Sequence, residues 1–252
     1  MIDRGIIIDK LTEALKPLPF INAFWLEGAD ANGTVDNYSD IDFWLDFNDD
    51  FEESAYEAVE TALASISAID YKYIMSHGHP KIRQRIYHLE NTSQYLMIDF
   101  CWQFSSRPRE EFIYVKDDSV EAVKVLFDKN NVIRYKPLSL LDYSQHNDKR
   151  LKEAKYRRAQ HMRAEKYVRR GQYLEAYAYY NRYVLEPVID LLRLIYTPAN
   201  ADYYLVHISQ HIPIAEREQL EYFAQISSLE DIAVKIPLAG EWFDRLVEGL
   251  QL

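Results

Sequence analysis

The chain has 252 residues, 48% of them hydrophobic and 27% charged, with a formal net charge of −11. That length and mixture fit a soluble globular protein with a substantial core. The acidic balance argues against a nucleic-acid backbone as the main partner, because such proteins present a dominant basic patch. A single cysteine, Cys101, excludes an intrachain disulfide. No apolar run reaches the roughly 18 residues of a membrane span. The opening MIDRGIIIDKL has early acids and too short an apolar run for a signal peptide. The cytoplasm is the expected compartment.

In chain order, residues 6–16 read as a helix that Pro17 and Pro19 end. Residues 20–27, FINAFWLE, read as a short buried strand. The Gly/Asn/Asp-rich stretch 28–38 reads as a loop, or a loop with a helical turn. Residues 41–47, IDFWLDF, alternate as a strand, and 52–66 as a helix capped by Asn48 or a neighbouring aspartate. Strands follow at 70–75, 82–89 and 94–103, with Asn91-Thr92-Ser93 as a hairpin turn, and then a helix at 118–128. Beyond residue 140 the chain is mostly helical: 148–170, then 172–196 with a kink or break at Pro187, then 201–211, 215–226 and 239–250. The expectation is an α+β fold: a head domain over 1–140, built on a mixed sheet with flanking helices, and a C-terminal helical bundle over 141–252.

The informative residues sit at the start of the second strand. Side chains two apart on a strand share a face, so Asp40 and Asp42 point the same way, roughly 7 Å apart along the strand. Ile41, Phe43, Leu45 and Phe47 point into the core. Two converging carboxylates repel unless a cation lies between them, and Mg²⁺ favours carboxylate and phosphate oxygens. Upstream, Gly28 allows a backbone to approach a ligand closely. Asp99 lies inside the apolar run YLMIDFCW, where an ionised carboxylate is costly unless it is paired or bound to a cation. If its strand neighbours 41–47, three carboxylates meet.

The pattern Gly28-Ala29, then Ser39-Asp40-Ile41-Asp42, then Asp99 resembles the DNA-polymerase-β-type nucleotidyltransferase superfamily. The helical second half, with TPANADYYLVHISQHIP at 197–213, resembles antibiotic nucleotidyltransferases that act on aminoglycosides and lincosamides. The resemblance implies ATP or another NTP as donor and two Mg²⁺ ions. Asp40, Asp42 and Asp99 carry over as catalytic metal ligands, and Gly28, Ala29 and Ser39 as the nucleotide-binding segment. The family usually has Gly-Ser where this chain has Gly28-Ala29, which leaves the backbone amides of Ala29 and Asp30 to meet phosphate. The expected acceptor is a small hydroxyl-bearing molecule, cationic like those antibiotics. No membrane partner is expected, nucleic acid ranks low, and a homodimer is the assembly considered. The competing reading is an antitoxin-like or regulatory relative that binds or modifies a partner protein, or one that has lost catalysis.

Several other residues have blander readings. Asp46 reads as a solvated strand end and Glu27 as a ligand-orienting group or a surface salt bridge. His77 and His79 read as a polar turn, His207 and His211 as packing rather than zinc ligands, and Cys101 as a small core residue. The ten Lys or Arg between Lys149 and Arg170 read as a solvated helix face partly neutralised by Glu153 and Glu165, with Lys155, Arg158 or Arg163 as candidates to reach a triphosphate. Tyr173, Tyr177 and Tyr180, at helical spacing, read first as packing.

Overall fold

A computed structural model describes residues 2–118, 120–139 and 143–250. The chain divides into two compact units, Met1–Leu138 and Ser139–Leu252. The first contains helices α1 (Arg4–Leu15), α2 (Gly28–Asn32) and α3 (Glu52–Ile66), and strands β1 (Ile21–Leu26), β2 (Ile41–Phe47), β3 (Ile69–Met75), β4 (Ile82–Leu89), β5 (Ile98–Phe104), β6 (Ile113–Val115), β7 (Lys124–Asp128) and β8 (Arg134–Lys136). Six strands form a mixed sheet in the order β3-β4-β5-β2-β1-β7, while β6 and β8 pair separately. The β2–β5 pairing is parallel and the others in the large sheet are antiparallel.

Alternation along β1, β2 and β5 decides the layers. One face carries Phe24, Phe43 and Phe100, whose rings lie within 5.9 Å of one another. It packs against Ile7, Leu11 and Leu15 of α1 and Ala55, Val59 and Leu63 of α3. The opposite face carries Trp25 and Trp44, stacked at 5.9 Å, with Phe112, Tyr114 and Val132 packed over them. The helices therefore cover one face, and the face bearing Asp42 and Asp99 is the one on which Phe112, Tyr114 and Val132 pack over the tryptophans.

Three local expectations fail in this unit. The helix expected at 118–128 is the strand β7 at 124–128, paired with β1; residue 119 lies outside the described residues. The open edge of β1 offers backbone partners to a segment whose Val123, Val125 and Phe127 favour extended structure, and this outweighs helix propensity. The strand expected from 94 begins at Ile98. Residues 90–97 form a longer connection in which Asn91 takes a left-handed φ of 63°. No side chain caps α3; a short turn at Asp49–Phe51 runs straight into it, and Asn48 instead accepts a hydrogen bond from Asn22.

The second unit consists of α4 (Ser144–Arg158), α5 (Met162–Arg169), α6 (Tyr173–Tyr180), α7 (Glu186–Tyr196), α8 (Ile208–His211), α9 (Ile214–Ala224) and α10 (Leu229–Gly249). The stretch expected as one helix over 148–170 breaks at 159–161, where the backbone hydrogen bonds shorten to three-residue spacing. Residues 173–196 are helical without a break across Pro187, where a kink or split was expected. The proline's missing N–H is accommodated by a π turn at Asn181–Leu185, just ahead of its place at the start of α7. The core gathers Tyr180, Ile189, Leu192, Ile236 and Trp242. Within it, Asp190 is paired with Arg150 and Arg157.

Two helix expectations are corrected. α10 starts ten residues before 239 and continues through Pro237. Ser228 caps it by accepting from the Asp231 N–H, so the Ser-Leu-Glu-Asp signature marks the start better than the proline marks a stop. Residues 201–207 are turns rather than helix, with Tyr204 and His207 at positive φ. Fully buried Arg193 organises them. Its guanidinium donates to the carbonyls of Tyr204 and Val206 and to His211 Nδ1. Replacing Arg193 with Met should destabilise the protein by about 2–4 kcal/mol, because three hydrogen bonds from a buried charged donor are lost. Urea unfolding measures this; a loss below about 0.5 kcal/mol would show that the loop does not depend on Arg193.

Candidate active site

The parallel register of β2 and β5 sets Asp42 directly beside Asp99. Parallel partners in register share a face, so both carboxylates emerge on the side away from α1 and α3. Asp40 lies two residues before Asp42 and is exposed, whereas Asp42 and Asp99 are half-buried. Asp42 and Asp99 are thus brought together at the start of two central strands, with Asp40 just ahead of β2 and close enough for its charge to act on both. Burial and the neighbouring charges of Asp40, Asp99, Glu27 and Asp30 push the Asp42 carboxyl up to about 7. Burial also raises Asp99; the hydrogen bond from Gln84 opposes this, and the Asp40 charge adds to it. Gln84 Nε2 lies 2.8 Å from both Asp99 oxygens. The sequence reading missed Gln84. Its signal was register: in the β4–β5 ladder it sits opposite Cys101, on the same face as Asp99.

Gly28 begins α2 at a φ of +58°, and a Cβ built there would lie far inside contact distance of Asp42 Oδ2. The glycine therefore serves two needs: a left-handed backbone and close approach to a carboxylate. The Glu27 N–H donates to the Asp42 carbonyl at 3.0 Å, which ties this turn to β2. Ala29 follows Gly28 inside α2. Ser39 is engaged locally: its hydroxyl donates to Asp36 Oδ1 at 2.9 Å and accepts from the Asp36 N–H, closing the turn that delivers Asp40. Arg4 of α1, also missed, donates to the carbonyls of Ser39 and Asp40 and lies 3.7 Å from the Asp30 carboxylate.

Two carboxylates differ from expectation. Asp46 is not a solvated strand end. It is buried and accepts from Asn22 and Gln103 at 2.7 and 2.8 Å. Glu27, expected to orient a ligand or to form a surface salt bridge, has no ion pair among the described residues; it accepts from the Tyr114 hydroxyl at 2.6 Å and from Trp25 Nε1 at 3.2 Å. Burial is the main cause of its raised pKa. The 77–80 segment is a turn in which His79 meets Glu111 at 2.9 Å. His207 and His211 pack edge to face, and His211 is held by Arg193. Cys101 is buried on the site's face, with its thiol pKa pushed up by burial.

Among the described residues, no three His, Cys, Asp or Glu side chains converge closely enough to hold a metal ion as they stand. The site is an acidic field rather than a finished coordination shell. No cation lies within ion-pair distance of Asp40, Asp42 or Asp99 among the described residues. Exposed Tyr38 and Tyr95 meet edge to face at 5.1 Å just ahead of the same strand ends. No helix among the described residues is long and apolar enough to cross a membrane.

No protein-family model and no curated protein matches the sequence. Among solved structures the chain is similar to the GLD-2/RNP-8 complex, at 12% identity and a TM-score of 0.32, over 90% of this chain and 70% of that one. It is similar to a candidate nucleotidyltransferase from H. pylori at 12% and 0.31, over 100% of both chains. It is also similar to JHP933 from Helicobacter pylori at 12% and 0.30, over 99% and 97%. Likenesses this distant leave the chemistry to be argued from the residues themselves.

The raised Asp42 pKa has a definite sign. The folded state binds the Asp42 proton more tightly than the unfolded chain does, so the stabilisation is full below about pH 4 and is lost as pH rises to about 7. In buffer free of divalent ions, Asp42→Asn should therefore raise the melting temperature at pH 8 and leave it nearly unchanged at pH 4. Equal shifts at both pH values would show that Asp42 is not electrostatically strained. Gly28→Ala should cost more than about 1 kcal/mol, from its positive φ and the clash with Asp42. A neutral result in denaturant unfolding would contradict the close approach.

Proposed function

We propose that the chain is a metal-dependent nucleotidyltransferase that moves a nucleotide, AMP from ATP as the first choice, onto a hydroxyl of a small molecule. The observation that carries this reading is the pairing of Asp42 with Asp99 on adjacent parallel strands, with Asp40 beside them and Gly28 against Asp42. Acidic oxygens without a protein cation suit a hard divalent ion such as Mg²⁺ bound to a nucleotide phosphate. Asp40, Asp42 and Asp99 would hold two such ions. Bound there, the ions would supply Lewis-acid neutralisation of the phosphates and a more acidic acceptor hydroxyl.

The chain's own residues have separable tasks. Gln84 orients the Asp99 carboxylate. Arg4 and the Asp36–Ser39 turn fix the backbone that presents Asp40. Gly28 brings the start of α2, with the Ala29 and Asp30 amides, close to Asp42 for contact with phosphate. In the transfer, the acceptor oxygen bonds to the α-phosphorus, the bond to the pyrophosphate oxygen breaks, and the hydroxyl proton passes to a base. The unpaired carboxylates of Asp40, Asp42 and Asp99 give the site a negative field, which favours a cationic acceptor such as an aminoglycoside or lincosamide antibiotic. Tyr38 and Tyr95 offer exposed rings at the mouth for such a ligand.

A second reading has its own support. Ala29 lacks a phosphate-binding hydroxyl, and the Ser39 hydroxyl is engaged with Asp36. A relative that binds nucleotide or a partner protein without turnover would tolerate both. Incubating the protein with each α-phosphate-labelled NTP, Mg²⁺ and a panel of hydroxyl compounds that includes cationic antibiotics separates the two. Transfer of label to an acceptor is expected, abolished by EDTA and reduced at least about a hundredfold in Asp99→Asn, the loss of several kcal/mol of charge stabilisation. Nucleotide binding with no product from any acceptor would favour the second reading. Neither binding nor product would reject both.

A further inference from the structure

The second unit carries a cluster of charge that its packing does not explain. Tyr167 of α5 stacks on Tyr179 of α6 with ring centroids 5.0 Å apart, and Tyr179 stacks on Tyr183 of the π turn at 5.7 Å. Cations close both ends of this ladder. Lys166 and Arg170 lie 4.9 and 5.4 Å from the Tyr167 ring, and Arg163 and Arg182 lie 5.7 and 5.9 Å from the Tyr183 ring. The rings are half-buried and the four cations exposed.

These cations are not ordinary surface charges in mutual balance. Among the described residues, no carboxylate lies within ion-pair distance of any of them, and the nearby Glu165 pairs with His161 instead. Between 161 and 185 there are five Lys or Arg against two Glu, in a chain with a net charge of −11. The contrast with α4 is direct: there Arg150 and Arg157 are neutralised by Asp190 and Glu186. The neutralised helix face expected for 149–170 therefore describes α4 and fails for α5. A cation–π contact at an exposed site is weak. It orients these side chains without discharging them, so the surface holds like charges together that an external anion would relieve.

The geometry points to single-stranded RNA as that anion, lying along α5, α6 and the π turn. Three of the four cations are arginines, whose planar forks grip phosphate oxygens and whose planes accept an unstacked base. The hydroxyls of Tyr167, Tyr179 and Tyr183 have no hydrogen-bond partner among the described residues and can meet ribose 2′-hydroxyls. The inference is independent of the carboxylate site in the first unit.

Fluorescence anisotropy of the full chain with a labelled, unstructured RNA of about 20 nucleotides tests it. Wild type should bind, with a log K against log salt slope of about −3 for four phosphate contacts. The exposed-site variant R163Q/K166Q/R170Q/R182Q, checked for folding by circular dichroism, should lose at least tenfold in affinity and flatten the slope. Asp99→Asn should bind RNA as wild type does. DNA of the same sequence should bind at least threefold more weakly. Absence of RNA binding, an undiminished quadruple variant, equal affinity for DNA, or capture by anionic vesicles in place of RNA would each overturn the assignment.

Discussion

The first unit depends on one pairing: β2 and β5 running parallel and in register. Antiparallel or shifted by one residue, the same strands would separate Asp42 from Asp99 or send one of them to the opposite face. The register is held from the other side of the sheet. Phe43 and Phe100, one residue on from each aspartate, lie 5.4 Å apart in the core beneath α1 and α3. Burying these rings is favourable only in the register that also forces the two carboxylates together. Hydrophobic burial on one face thus maintains electrostatic repulsion on the other.

The distribution of cations shows that this repulsion is not an accident of an acidic chain. The same unit neutralises other carboxylates readily: Glu60 with Lys72 and Arg85, Glu52 with Arg83, Asp49 with Lys81. At the strand ends it does otherwise. Asp99 receives a neutral amide from Gln84, and Asp46 receives amides from Asn22 and Gln103. An amide fixes a carboxylate's direction while leaving its charge in place. Arg4, which is close enough to help, donates to backbone carbonyls of Ser39 and Asp40. The fold leaves Arg4 to pair with Asp30 and sets no ion-pair partner against Asp42 or Asp99 among the described residues, which is what a site for an external cation requires.

How much of this was legible in the sequence follows from the range of each interaction. Strand alternation is local, so the inward set Ile41, Phe43, Leu45 and Phe47 and the opposite face for Asp42 could be read directly, whereas Asp40 lies just ahead of the strand. Asp99 was legible as an anomaly, a carboxylate in an apolar run, although its partner strand was not. Gln84 and Arg4 were invisible because nothing local distinguishes an amide on a strand or an arginine at a helix start. Their roles exist only after β4 pairs with β5 and α1 packs on the sheet. Asp46 was misjudged because alternation gives its face but not what covers that face. β7 was misjudged because its backbone partners come from β1, a hundred residues upstream. The start of α10 was placed ten residues late for a different reason: a long buried face carries the helix through Pro237, a residue that local rules treat as a stop.

Charge pairing also divides the second unit into parts that composition merges. Arg150, Arg157 and Asp190 share a buried network, and there the ion pairs are structural: burial raises the Asp190 pKa, and the two arginines oppose that shift. One helix further along, the arginines rest on tyrosine rings, which lend them direction but no negative charge. A count of basic residues from Lys149 to Arg170 averages these two situations into one unremarkable face. Only the identity of each partner, a carboxylate or a ring, separates charge already balanced by the fold from charge still available to a ligand. The same distinction in the first unit separates Glu60 from Asp42.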